Sequence, residues 1–126
     1  MPENEAPSRS RGKKQEVVLA MGWVAISEGG QVGNAQSTDS FWKRVLKYFA
    51  NELGGTKRSH HQLNSKWRQM NRKVLAFNGI YNNLVNSRRS GQSDDDVKKN
   101  AYKFYRTTQQ ANFVHEHVWD VVKNIR

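Results

Sequence analysis

An all-α fold is what this 126-residue sequence predicts: a three-helix bundle of helix-turn-helix type with one or two additional C-terminal helices. Three observations point to it. Proline occurs only at Pro2 and Pro7, so from residue 8 onward no ring removes a helical N–H. Apolar residues recur at steps of three and four through most of the chain. No segment alternates polar and apolar residues as a half-buried strand would. The length suits one domain with a tail.

Residues 1–12 are polar and of mixed charge, and read as a disordered basic arm. Residues 13–126 form the helical domain. From Lys13 to Ser27, Leu19, Trp23 and Ile26 share one helical face. The Gly-rich stretch from Glu28 to Thr38 is a connector. Asp39 or Ser40 can cap a second helix that carries Phe41, Trp42, Val45, Leu46 and Phe49 and stops near Gly54-Gly55. Ser59 can cap a third. Its stripe of Leu63, Trp67, Met70, Val74, Phe77, Tyr81 and Leu84 alternates steps of four and three, which makes it the most regular element. Gly79 is a candidate bend, and Ser90-Gly91 the end. Ser93 followed by Asp94, Asp95 and Asp96 marks a fourth helix, because acids oppose the dipole at a helix start. Val97, Ala101, Phe104 and Tyr105 are expected inward. Asn112 can cap a short last helix with Phe113, Val118, Trp119 and Val122. This C-terminal helical extension covers about residues 93–125.

The formal net charge is +10, and it is concentrated. Residues 1–40 sum to −1 and residues 91–126 to +1, whereas residues 41–90 hold eleven basic side chains and one acid, Glu52. Such a block repels itself in a compact fold, and a polyanionic partner is its usual explanation. On the third helix, the face opposite Trp67 presents His61, Ser65, Arg68 and Arg72, flanked by Asn64 and Gln69, without a carboxylate. Arg can pair with guanine through two hydrogen bonds, and Asn or Gln with adenine. The expectation is a third helix in the major groove of duplex DNA, with His61, Asn64, Ser65, Arg68 and Arg72 reading bases. Lys43, Arg44, Lys47, Lys57, Arg58, Lys66, Gln69 and Lys73 are the phosphate candidates. Arg9, Arg11, Lys13 and Lys14 can enter a minor groove, act as a nuclear-import signal, or do neither.

The runs DSFWKRVLKYF and KWRQMNRKVLAFNGIY, with the later SG…DDDV…AYKFY…NFVHEHVWDVV pattern, resemble a plant Myb/SANT-like family. That family includes trihelix-type factors and Myb-like proteins of Harbinger-class transposons. The C-terminal half is similar to the NAM-associated C-terminal domain. The resemblance covers roughly residues 13–125. It implies a nuclear, sequence-specific DNA-binding domain in a transcription factor or transposon-encoded protein. Trp42 and Trp67 resemble the family's second- and third-helix tryptophans, which places base reading around His61, Asn64, Ser65 and Arg68. No aromatic stands near Arg11 or Gly12, where such domains usually carry one; Trp23 lies late in the first helix instead. The alternative is a SANT-type protein-interaction module, docking an acidic partner, a transposase or a transcriptional co-factor through the C-terminal helices.

Other chemistries find little support. The chain has no Cys, which excludes disulfides, thiol catalysis and Cys-ligated zinc. His60-His61 and His115-Glu116-His117 invite a metal reading. Residues one or two apart point to different faces of a helix, and no Cys completes a set, so no metal is expected. The Gly-rich connector has no phosphate-loop GK[ST]. Val17–Ile26 is too short for a bilayer, which needs about 20 residues. The expectation is therefore no enzyme, no cofactor, no membrane and no small-molecule substrate.

Overall fold

The computed structural model describes residues 8–29 and 37–125, and among them every regular element is a helix. They are α1 (Ser8–Gly29), α2 (Thr38–Leu53), α3 (His60–Asn86), α4 (Asp94–Gln109) and α5 (Glu116–Val122). The expected all-α class is what the chain adopts. No helix among the described residues is long and apolar enough to cross a membrane.

Several boundaries differ from those the sequence suggests. Helix α1 starts at Ser8 rather than Lys13, so residues 8–12 of the expected arm belong to a helix. The rest of that arm lies outside the described residues, as do the side chains of Arg9 and Arg11. Helix α2 is capped by Ser37, whose hydroxyl accepts from Ser40 N at 3.1 Å. Asp39 instead occupies the first turn, where its charge opposes the dipole. Helix α3 runs unbroken through Gly79, where an added Cβ would meet nothing within 4 Å. It ends at Asn86, ahead of Ser90-Gly91. Asn112 caps nothing in α5: its side chain accepts from Arg106 at 2.7 Å, and His115 takes the cap position.

Both Ser59 and Ser93 close full capping boxes, with Gln62 and Asp96 respectively. Each box satisfies two N–H groups that helix geometry leaves without partners. These caps fix where α3 and α4 begin. Gly54 ends α2 at φ 75°, a left-handed conformation that glycine adopts without a Cβ clash.

Helix α3 is the spine. It packs on α1 and α2 along its first half and on α4 and α5 along its second. Two sub-cores result. In the first, Leu19, Trp42, Val45, Phe49, Leu63 and Trp67 are buried, and Trp23 stacks on Trp67 with ring centroids 5.0 Å apart. Gly22 lets α1 approach α2: a Cβ there would lie 2.9 Å from Tyr48 Cδ1. In the second, Phe77 stacks on Phe113 at 4.2 Å and meets Trp119 edge-on at 5.0 Å. The Trp119 indole N–H donates to Asn78 Oδ1 at 3.0 Å, which resolves the one polar atom its burial would strand. Phe104, expected inward, is 54% exposed: Val97, Ala101 and Tyr105 are the buried residues of α4, and Phe104 lies at the edge of their stripe.

Candidate functional site

A concentration of basic and polar groups lies where the α2–α3 turn meets α1. Gly54 and Gly55, at φ 75° and 121°, turn the chain back after α2. Thr56 Oγ1 then accepts from Arg58 N at 3.1 Å, and the Ser59 box starts α3. The turn therefore holds Arg58 against α1 and leaves Lys57 exposed beside it. Arg58 Nη2 donates to Gln15 Oε1 at 3.0 Å, which fixes the guanidinium beside Lys14. Lys14, Gln15, Thr56, Lys57, Arg58 and Gln62 rim a groove of about 610 Å³ floored by Phe49 and Leu53. That volume lies within the roughly 300–1,000 Å³ of ligand pockets. A smaller cavity of about 80 Å³ adjoins it, reaching Glu16, Leu19, Leu63 and Lys66.

The sequence-derived candidates are spread along a longer surface. On α3, His61, Ser65, Arg68, Gln69, Arg72 and Lys73 are exposed, and Asn64 is half-buried. Lys43, Arg44 and Lys47 are exposed on α2. Among the described residues Arg68, Arg72 and Lys73 have no acidic partner. Gln69, Arg72 and Lys73 line a separate cleft of about 440 Å³ against Tyr105 and Gln109 of α4. Lys66 is committed elsewhere: its Nζ lies 3.0 Å from Glu16 Oε2. Of the base and phosphate candidates Lys57 and Arg58 line the 610 Å³ groove, joined by Lys14 from the N-terminal basic run.

Sequence reasoning missed Gln15, Glu16 and the inward turn of His115 and His117. His115 Nδ1 and His117 Nε2 lie 3.1 and 2.6 Å from the same Glu16 oxygen, Oε1. The helical-wheel objection fails here because His115 has φ −119° and ψ 34°, outside the helix, so the two imidazoles are not fixed at helical spacing. Burial pushes the Glu16 carboxyl up, but hydrogen bonds from His115, His117 and Lys66 and the charge of His115 outweigh it and hold it at about 2. A second cluster joins α4 to α5. Lys98 donates to Glu116 Oε2 at 2.8 Å, and the Tyr102 hydroxyl donates to Glu116 Oε1. Burial opposes ionisation of Glu116, yet these two donors hold its carboxyl below the usual range. The His115-Glu116-His117 run signals part of the first cluster, but sequence spacing announces neither in full, because each joins residues brought together by packing.

No family model and no solved structure matches the chain. Curated relatives come from Arabidopsis thaliana. The chain is 34% identical over 114 residues to glutathione S-transferase T3, across 88% of its own length and 19% of that protein's. It is 32% identical over 122 residues to glutathione S-transferase T2, across 93% of its own length and 21% of that protein's. The chain thus spans about a fifth of the length of these relatives.

These findings correct the resemblance to the Myb/SANT-like family. Neither relative is named as a Myb, SANT, trihelix, transposon or NAM-associated protein. The expected sequence-specific DNA-binding function falls with that resemblance, as do the SANT-type interaction module and the DNA, transposase and co-factor partners. So do the expectations of no enzyme and no small-molecule substrate, since both relatives are named for an enzyme of glutathione. The physical reason lies in what carried the resemblance. Trp42 and Trp67 are 6% and 4% exposed, so their spacing reports how a helical bundle packs and not what it binds. The central charge block sets a positive field and names no partner. What the chain is similar to is a segment of two plant proteins named glutathione S-transferase.

Proposed function

We propose that this chain is a helical ligand-binding module of glutathione S-transferase type, whose groove at Lys14, Lys57 and Arg58 takes glutathione. One observation carries the reading: three basic and three other polar side chains rim a groove over the apolar floor of Phe49 and Leu53. Glutathione is a tripeptide with two carboxylates, an ammonium and a thiol. A guanidinium matches a carboxylate through two parallel N–H donors, and Arg58 is already oriented by Gln15. Thr56, Gln15 and Gln62 offer partners for the peptide groups. Leu53, half-buried in the lining, offers an apolar surface for the cysteinyl methylene. The names of the relatives supply the ligand's identity.

Because the chain spans about a fifth of those relatives, S-transfer is proposed only as an activity to which this module contributes binding. The chain has no cysteine, so the thiol in such chemistry belongs to the ligand. The exposed Arg68, Arg72 and Lys73, with Lys43, Arg44 and Lys47, add a positive field that draws anions toward the groove.

The test is an NMR titration of the full chain with reduced glutathione at physiological salt. Saturable shifts confined to the amides of Lys14, Gln15 and residues 56–62, lost in Arg58→Ala, support the reading. No saturable shift at millimolar glutathione overturns it. So does a duplex oligonucleotide that moves the same amides at far lower concentration without glutathione competing, which would make the groove a general polyanion surface.

A further inference from the structure

We propose that Glu16, His115 and His117 form a divalent transition-metal site, of the zinc class, that ties α1 to the start of α5. The donor set is two imidazoles and one carboxylate, whose ligand atoms all lie within 4.8 Å of one another. Two imidazoles and a carboxylate are a recurrent zinc ligand set that leaves a fourth position open. The side chains are 8%, 19% and 15% exposed for His115, His117 and Glu16, so the ligands are held by packing rather than swept through solvent. A cavity of about 580 Å³, lined also by Gly12, Lys13 and Val114, opens on the cluster and gives a fourth ligand room.

The geometry accommodates a metal with small adjustments. Ligand bonds of about 2.0–2.2 Å at a tetrahedral angle place two donor atoms about 3.3 Å apart. The His115–Glu16 separation is 3.1 Å and needs almost no change; the His117–Glu16 separation of 2.6 Å must open by roughly 0.7 Å, within side-chain adjustment. Lys66 pairs with Glu16 Oε2, so both imidazoles converge on the other oxygen, Oε1. On binding, the metal accepts the lone pairs of His115 Nδ1 and His117 Nε2. Each imidazole keeps its proton on the other nitrogen, and any extra proton leaves to solvent. Lys66 is the natural antagonist: its ammonium competes for Glu16, and at 43% side-chain exposure it can swing away.

The proposal is independent of the glutathione reading and is tested without that ligand, because thiols bind zinc. Metal-stripped full-length chain is titrated with Co²⁺, followed by its visible d–d bands, and then with Zn²⁺ against a chromophoric chelator. One Co²⁺ with the intense bands of a low-symmetry N/O site, displaced by Zn²⁺, is the expected result. Glu16→Gln and His117→Gln each weaken it at least about tenfold, and Lys66→Met tightens it. Circular dichroism confirms that each variant is folded. Lys66→Met keeps all three ligands, so it remains informative if a ligand variant fails to fold. A Co²⁺ spectrum no different from the free aqua ion overturns the proposal. So does binding unchanged in His117→Gln and Glu16→Gln, which would place the metal elsewhere, for example at Asp39, His60 and His61.

Discussion

Glu16 Oε1 and His117 Nε2, 101 residues apart in sequence, lie 2.6 Å apart, so the first helix is fastened to the last by a carboxylate–imidazole contact. His115 and Lys66 reach the same carboxylate. Replacing Glu16 by Gln in metal-free buffer leaves these donors with a weaker acceptor. Hydrogen bonds to charged groups contribute about 1.5–3 kcal/mol. Urea unfolding of Glu16→Gln is expected to show a loss of about that size, with an unchanged slope against urea.

Phe77 stands at the centre of the second sub-core, fully buried against Phe113, Trp119 and Tyr105. Phe77→Ala is expected to cost about 3–5 kcal/mol, because the surrounding rings cannot collapse into the space. Phe104, on the open side of α4, is the control. Phe104→Ala should move stability by no more than about 0.5 kcal/mol, as surface substitutions do. Thermal melts of the two variants, side by side, check both values.

At Gly22 the constraint is room rather than backbone angle. A methyl group there would sit 2.9 Å from a Tyr48 ring carbon, so α1 and α2 must part or the ring must turn. Gly22→Ala is expected to destabilise by about 1–3 kcal/mol despite alanine's better helix propensity. Gly79→Ala, where nothing lies within 4 Å, should stabilise by about 0.5–1 kcal/mol instead. Opposite signs for two glycine-to-alanine changes in helices would confirm the close approach.

Alkaline pH should loosen the C-terminal half first. Burial, then the hydrogen bond to Glu116, raises the Tyr102 hydroxyl pKa; burial alone raises that of Tyr105. A group raised in the folded state contributes stability that is complete below its unfolded pKa, about 10 for tyrosine, and is lost as pH rises beyond it. Stability followed by urea unfolding should therefore be flat from neutral pH to about pH 9 and fall above it. Tyr105→Phe should flatten that fall.

Much of the bundle was legible in local pattern. The seven-residue stripe of α3, the Ser59 and Ser93 caps and the glycine stop of α2 depend on neighbours a few positions away, and these landed in place. What failed was what needs a partner from afar. Phe104 satisfies the spacing rule but finds no neighbour to bury it. His115 and His117 look incompatible until the connector ahead of α5 releases His115 from helical geometry. Gln15 carries no signal in the sequence; the α2–α3 turn brings Arg58 onto it. Trp42, Trp67 and Trp119 are core, and core residues carry no information about ligand. That is why the family inferred from them did not survive comparison with known proteins.

The most direct measurement is calorimetric titration of glutathione into the wild-type chain and into Arg58→Ala. The groove reading expects a saturable one-to-one isotherm for the wild type. It expects the variant to be weaker by about 1.5–3 kcal/mol, the worth of a hydrogen-bonded charge, while its fold by circular dichroism is unchanged. Equal heats for both proteins, or none for either, would contradict it.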